Sequence, residues 1–266
     1  MDLTVHGRSV YAYTGGKPFN PALPCIVFIH GALHDHSVWN LLARWFANHG
    51  HAVLAIDQPG HGRSPGPPLA SVEAIADALL AWLDAASVAQ AALVGHSMGS
   101  LIALEAAARA PERITRLVLL GAAVPMKVSP ALLATAADEP LRAIDQVNAF
   151  SHSSLAAKPA YPGPGNWLHG ANRALMRKVQ AGCDGRNLFA HDFALCDGYA
   201  GGLDAAAKVR CAAHLIVGRF DQMVPPASSR ALAVALSAKT VELPCGHALM
   251  QEAPDATLQA LRDALR

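Results

Sequence analysis

Hydrophobic residues along the chain gather into short, nearly uninterrupted runs that alternate with longer segments of helical periodicity. Five such runs occur at 25–29 (CIVFI), 52–56 (AVLAI), 91–94 (AALV), 116–120 (RLVLL) and 214–217 (HLIV). Strands that are apolar throughout lie in sheets with both faces covered, and the intervening helices supply the cover. The pattern therefore predicts a parallel sheet with helices on both of its faces.

Three further segments extend this sheet. Polar and apolar residues alternate at 3–7 (LTVHG) and 9–15 (SVYAYTG), which favours an antiparallel hairpin, and 240–243 (TVEL) is typical of a last strand. We therefore expect a mostly parallel, eight-stranded α/β sheet with helices on both faces.

The alternation of strands and helices fails in the middle of the chain and then returns. We expect residues 1–123 to form the first part of the core, residues 124–208 an inserted helical cap, and residues 209–266 the second part of the core. Helix-like segments within the insertion are 130–150, 171–181 and 188–199, and the proline- and glycine-rich stretch 158–167 (KPAYPGPGNW) separates the first two.

Composition and charge narrow the range of functions. The chain has 266 residues, of which 52% are hydrophobic, and a formal net charge of +1, so neither nucleic acid nor a membrane is an expected partner. The N-terminal segment lacks the apolar region of a signal peptide, no stretch is long enough to span a membrane, and the five cysteines are widely spaced. We expect a cytoplasmic protein that acts on a small molecule, and no pattern fixes its oligomeric state.

One serine stands between two glycines where a predicted strand meets a predicted helix. In GHSMG (95–99), a sharp strand-to-helix turn would expose the Ser97 side chain at the carboxyl end of the sheet, where ligands bind. Small residues two before and two after the serine, here Gly95 and Gly99, allow such a turn. Ser97 is therefore a candidate nucleophile, with the amide of Met98 pointing toward the group it attacks.

A serine nucleophile needs a base and an orienting carboxylate. Asp221 follows the strand at 214–217, and His247 follows the strand at 240–243. The order Ser97, Asp221, His247 is the order used by serine hydrolases with a strand-turn-helix nucleophile.

Five motifs together resemble those of the capped α/β-hydrolase family, including its carboxylesterases and C–C hydrolases. They are HGALHDHSVW (30–39), DQPGHGRS (57–64), GHSMG (95–99), GRFDQMVPP (218–226) and CGH (245–247). The resemblance implies that Ser97 attacks the substrate, that His247 takes and returns the proton, and that Asp221 orients the imidazole.

The same resemblance implies an oxyanion hole built from two backbone amides. One belongs to Met98, and the other lies just after the His-Gly pair of FIHGALHD, which means Ala32 or, as the preferred candidate, Leu33.

Several side chains are candidates for contact with substrate, although a structural role explains each of them at least as well. They are His34, Trp39, Phe150, Trp167, Met223 and Leu249. The histidines of the other motif segments are expected to brace loops. No HExxH or comparable ligand pair occurs, and we expect neither a metal nor a cofactor.

The resemblance leaves several reactions open, because relatives cleave esters, thioesters, lactones, amides or C–C bonds. A serine at position 97 excludes the dehalogenase and epoxide hydrolase branches, which carry an aspartate there. The segment ALHD (32–35) lacks the serine and glycine that C–C hydrolases of the family typically carry there. We therefore expect a carboxylesterase for small to medium, mostly uncharged esters. The alternatives are hydrolysis of ring-fission products and a non-hydrolytic small-molecule receptor.

Overall fold

A computed structural model describes residues 1–5, 7–153 and 167–266 of the chain. Eight strands form a single sheet in the order β1-β2-β4-β3-β5-β6-β7-β8. The strands are β1 (Asp2–Val5), β2 (Arg8–Tyr13), β3 (Cys25–Ile29), β4 (Ala52–Ile56), β5 (Ala91–His96), β6 (Ile114–Leu120), β7 (Ala212–Gly218) and β8 (Lys239–Leu243).

The sheet is parallel from β4 to β8, and β1 and β2 join it as an antiparallel hairpin. Every residue of β3, β4 and β5 is buried, because helices cover the sheet on both sides. The predicted fold class, a mostly parallel eight-stranded α/β sheet, is confirmed. The predicted bounds of β3 and β4 match those of the structure.

Helices fill the connections between the strands. They are α1 (Asn40–Ala47), α2 (Val72–Ala85), α3 (Met98–Arg109), α4 (Pro130–Asp138), α5 (Pro140–Ser151), α6 (Leu168–Ala181), α7 (Leu188–Gly198), α8 (Gly202–Ala206), α9 (Arg230–Ala235), α10 (Leu249–Glu252) and α11 (Pro254–Ala264). Among the described residues, none of these helices is long and apolar enough to cross a membrane.

The sheet separates two layers of hydrophobic core. Buried residues of α2 and α3 pack on one face. Buried residues of α1 and α11 pack on the other. The strands thus carry apolar side chains on both faces, which is why their sequences are continuous hydrophobic runs rather than alternating ones.

Helices α4 to α7 lie between β6 and β7 and have a small core of their own. The helix predicted at 130–150 is two helices, because Pro140 cannot continue a helix and begins a new one. The proline- and glycine-rich stretch falls almost entirely outside the described residues. The limits of the cap at residues 124 and 208 stay a prediction.

Two glycines allow β3, β5 and α3 to approach one another closely at the carboxyl edge of the sheet. A Cβ atom on Gly95 would overlap the carbonyl oxygen of Gly99, and a Cβ atom on Gly99 would overlap the carbonyl oxygen of Ile29 in β3. Any side chain at either position would therefore push backbone against backbone.

We expect Gly99→Ala to lower the melting temperature by roughly 3 to 10 °C, because overpacking of this kind costs about 1 to 3 kcal/mol. Thermal unfolding followed by circular dichroism measures the change. Gly198→Ala is the matched control, since Gly198 ends α7 and a Cβ atom there has no neighbour within 4 Å. Equal melting temperatures for the two variants would contradict the packing argument.

Candidate active site

Ser97 occupies the sharp turn between β5 and α3. Its backbone has a φ of 53° and a ψ of −120°, a conformation that residues with a side chain rarely adopt. The turn leaves the side chain partly exposed and places Met98 at the first position of α3. The N–H of a first helical residue has no partner inside its helix, so the Met98 amide is available to a ligand.

Asp221 and His247 lie in the loops that follow β7 and β8. The imidazole Nδ1 of His247 lies 2.7 Å from the carboxylate Oδ2 of Asp221. The other carboxylate oxygen accepts hydrogen bonds from the backbone N–H groups of Met223 (2.8 Å) and Val224 (2.7 Å). An ionised carboxylate can only accept, so Nδ1 carries the proton and Nε2 of a neutral His247 is a free base.

The side chain of His96, the residue before Ser97, contacts the backbone of the His247 loop. Its Nε2–H donates to the backbone carbonyl oxygen of His247 over 2.8 Å. Burial, and then the neighbouring His247 and His34, lower the pKa of His96 well below its usual value. His96 is therefore a neutral hydrogen-bond donor that holds the His247 backbone.

The loop after β3 carries the two candidates for the second oxyanion amide. Leu33 adopts a φ of 53°, and its N–H donates to the carboxylate Oδ2 of Asp192 over 2.9 Å. The preference for Leu33 is therefore corrected, because its amide already has a buried, charged acceptor. Ala32 lines the cavity at Ser97 and is the remaining candidate.

Asp192 lies on α7 and also contacts the loop after β4. Its Oδ2 is 2.9 Å from Nε2 of His61, and both side chains are almost completely buried. Burial lowers the pKa of His61, but the charge and hydrogen bond of Asp192 outweigh it, so the net pKa is raised. A carboxylate from α7 thus binds two loops of the core.

The end of α5 and the residues just after it form hydrogen bonds with the His247 loop and with Glu252, which follows that loop. The Ala248 N–H donates to the carbonyl oxygen of Ser151 over 2.9 Å. The Glu252 carboxylate accepts hydrogen bonds from the Gly246 N–H (3.1 Å) and the Ser153 hydroxyl (2.6 Å). Helices between β6 and β7 therefore hold both the His247 loop and the loop after β3.

Ser97 and His247 open into one cavity of about 430 Å³. Its walls come from the core loops and from α4, α5 and α7, and most of the lining residues are apolar. The lining residues besides Ser97 and His247 are Ala32, Met126, Lys127, Val128, Ser129, Ala131, Leu132, Thr135, Gln146, Phe150, Phe193, Cys196, Gln222, Met223 and Val224.

Two of the six proposed contact residues, Phe150 and Met223, line this cavity. The structure places the other four elsewhere. The Nε2 atom of His34 lies 2.9 Å from Oδ1 of Asn172. The side chains of Trp39 and Leu249 are fully buried in the core. Trp167 lies outside the cavity lining, where it is 42% exposed at the start of α6. Their positions in motif loops or in the cap did not reveal which way each side chain points.

One cluster of potential metal ligands occurs among the described residues: Asp35, His36 and Asp57. Asp57 already accepts from the backbone N–H of His36 (2.6 Å) and of Arg63 (2.8 Å), and the His36 ring lies 2.8 Å from it. Asp35 accepts from the backbone N–H of Ser37 over 2.9 Å. Hydrogen bonds within the loops after β3 and β4 therefore account for the positions of these three side chains.

Sequence reasoning missed Asp192. A signal was present, because Leu188, Asp192 and Cys196 recur at intervals of four and therefore share one face of α7. A carboxylate on an otherwise apolar helical face indicates a buried polar contact.

Comparison with known proteins identifies relatives of this fold. A sequence model of the alpha/beta hydrolase family matches residues 26–260. The crystal structure of an enol-lactonase from Burkholderia xenovorans LB400 superposes with a TM-score of 0.83, at 25% identity over 100% of this chain and 99% of the other.

Curated relatives match over a shorter segment. An sn-1-specific diacylglycerol lipase of Mus musculus is 38% identical over 99 residues, which are 37% of this chain and 32% of the lipase. An esterase of Escherichia coli is 35% identical over 95 residues, 36% of this chain and 37% of the esterase. The matched part of the chain therefore spans about a third of each of these relatives.

The raised pKa of His61 predicts a pH-dependent contribution to stability. A histidine whose folded pKa lies above its unfolded value of about 6.5 stabilises the fold fully below that value, and the contribution is lost as the pH rises through the folded pKa. The melting temperature of wild type should therefore exceed that of His61→Gln by more at pH 6 than at pH 9. His49→Gln, at an exposed histidine, is the control. An equal difference in melting temperature at both pH values would show that the charge of His61 beside Asp192 does not contribute to stability.

Proposed function

The chain belongs to the alpha/beta hydrolase family, and on that premise we propose that it is a serine hydrolase that cleaves carboxylic esters through an acyl-enzyme on Ser97. The observation that carries the proposal is the shared cavity of Ser97 and His247, with Nδ1 of His247 held 2.7 Å from Asp221. A nucleophile, a base and an orienting carboxylate are thus available at one site.

In the proposed reaction, the Ser97 hydroxyl oxygen attacks the acyl carbon of the ester while Nε2 of His247 takes its proton. The tetrahedral intermediate collapses, and the departing alkoxide receives that proton. Water then attacks the acyl-enzyme, His247 takes a proton from it, and the acid is released as Ser97 regains its hydrogen. Asp221 keeps His247 in the tautomer with Nε2 unprotonated and stabilises the imidazolium that forms.

The negative charge that develops on the carbonyl oxygen requires hydrogen-bond donors. The amides of Met98 and Ala32 are the proposed pair. Removal of one such donor costs roughly 10² to 10³ in rate in related chemistry.

The cavity favours a small to medium, mostly uncharged substrate. None of its described lining residues is acidic, and its one lysine, Lys127, is 65% exposed and donates to the Asp197 carbonyl oxygen over 2.7 Å. A volume of about 430 Å³ lies toward the lower end of the range for small-molecule pockets.

Lactones form a second candidate class. The enol-lactonase from Burkholderia xenovorans LB400 matches the whole length of this chain. A lactone is a cyclic ester, so the same steps apply, except that the leaving alkoxide stays attached to the acyl group. A substrate panel should therefore contain lactones beside linear esters.

We expect Ser97→Ala to abolish ester hydrolysis and labelling by a fluorophosphonate, with a fall in kcat on the order of 10⁶ by analogy with other serine hydrolases. Nitrophenyl ester turnover and gel fluorescence measure the two effects. Ser228→Ala, at an exposed serine outside the cavity, should match wild type. Retention of more than a tenth of the activity in Ser97→Ala would overturn the assignment. A wild type that hydrolyses no ester or lactone would favour the receptor alternative.

We expect Phe150→Ala to change the preferred acyl length. Phe150 lines the cavity yet is 50% exposed, so its loss widens the cavity without a large cost to the core. Each methylene in an apolar pocket is worth about 1 to 3 kcal/mol, so kcat/KM for two-, four-, eight- and twelve-carbon esters should change unequally. Trp167→Ala, at an exposed aromatic outside the lining, is the control. A uniform change across all esters would contradict a specificity role for Phe150.

A further inference from the structure

A buried carboxylate in the cap is unexplained by the proposed reaction. Asp192 is 1% exposed and lies on the apolar face of α7 between Leu188 and Cys196. Removing a carboxylate from water costs several kcal/mol unless good partners replace the water. The partners of Asp192 therefore indicate its role.

Both partners belong to loops of the core rather than to the cap. Oδ2 of Asp192 accepts from the Leu33 N–H over 2.9 Å and lies 2.9 Å from Nε2 of His61. Leu33 follows β3 and His61 follows β4, and these two strands are neighbours in the sheet. One carboxylate oxygen thus ties together two adjacent loops at the carboxyl edge of the sheet.

The same two loops are also tied together by a second carboxylate of the core. Asp57 accepts from the backbone N–H of His36 (2.6 Å) and of Arg63 (2.8 Å). The loop after β3 is therefore held at Leu33 by the cap and at His36 by the core. The residue just before the cap contact is Ala32.

The backbone at Leu33 requires support from outside the loop. A φ of 53° is unfavourable for a bulky residue, and surrounding structure must hold such a residue in place. The hydrogen bond from the Leu33 N–H to Asp192 fixes the peptide group between Ala32 and Leu33, and a charged acceptor strengthens it. Rotation of this peptide group would reorient the adjoining Ala32 backbone.

We propose that Asp192 is a positioning residue for the oxyanion hole: its carboxylate holds the Leu33 amide toward the cap and thereby directs the Ala32 amide into the cavity. The inference rests on the proposed serine hydrolase function. In this role the cap acts on the rate of the chemical step, apart from any contact with the substrate. His61 supplies the compensating partner that makes a buried carboxylate tolerable.

The test compares Asp192→Leu, which has a similar size and no acceptor, with Asp192→Asn, which keeps a neutral acceptor. For a nitrophenyl ester we expect kcat to fall on the order of 10² in Asp192→Leu, with KM within about threefold of wild type, because an oxyanion contact acts in the transition state. Asp192→Asn should recover at least a third of the wild-type kcat. Asp145→Leu, at an exposed cap carboxylate bound to Arg173 and Arg177, should match wild type.

A second measurement separates positioning from cap stability. An alkylboronic acid forms a tetrahedral adduct with a serine nucleophile and places an oxygen in the oxyanion hole, whereas an unreactive alkyl amide reports only on the cavity. We expect Asp192→Leu to weaken boronic acid binding at least tenfold and amide binding less than threefold. Melting temperatures of all variants are recorded alongside.

A folded Asp192→Leu with wild-type kcat and boronic acid affinity, whatever its melting temperature, would overturn the proposal. If Asp192→Leu does not fold, Asp192→Ala, which also lacks an acceptor, decides: a boronic acid affinity at least tenfold weaker than that of Asp145→Ala supports positioning, and equal affinities overturn it. A wild type that neither reacts with a fluorophosphonate nor hydrolyses any ester would overturn the proposed function and this inference together. An active wild type equalled by Asp192→Leu would overturn the inference alone.

Discussion

The close approach of three backbone segments at the carboxyl edge of the sheet determines the geometry of the site. The absence of side chains at Gly95 and Gly99 lets α3 begin against the ends of β5 and β3. Ser97 consequently occupies the sharp turn at the end of β5, and Met98 is the first residue of α3. The loop after β3 begins next to this turn, since a Cβ atom on Gly31 would lie 3.1 Å from Cβ of Ser97.

Buried and partly buried polar side chains then connect that edge to the rest of the molecule. His96 holds the His247 backbone from the core side, and Glu252 joins the His247 loop to the end of α5. Asp192 holds the loop after β3 from the cap side. The contacts of His96 and Asp192 each pair a buried donor with a buried acceptor, which costs free energy to break and therefore favours a single arrangement of the loops.

The sheet and the order of the candidate triad were predictable because both follow from local signals. Continuous apolar runs indicate buried strands, and a serine between glycines indicates a tight turn wherever it occurs. The partner of a contact between distant segments has no such local signal: Leu33 and Asp192 are 159 positions apart in the chain. The family resemblance favoured the Leu33 amide over that of Ala32, and only the fold reveals that the Leu33 amide already has an acceptor.

Four of the six proposed contact residues lie outside the cavity lining for a related reason. Trp39 immediately precedes α1 and Leu249 begins α10, two residues after His247, but both side chains are buried in the core. A hydrophobic residue near a site can face the ligand or the interior, and the sequence is the same in both cases.

The contact between α7 and the loop after β3 bears on how such caps can be exchanged among relatives. An insertion that only shaped the cavity could be replaced by any other of suitable length, and the resulting protein would accept a new set of substrates. Here α7 also supplies an acceptor for a core amide, so under the role proposed for Asp192 a transplanted insertion must bring an equivalent carboxylate with it. This requirement restricts how far relatives can change their substrate specificity by replacing the whole insertion. Single substitutions in the cavity walls leave the contact between α7 and the loop after β3 intact, so they can change the substrate without this restriction.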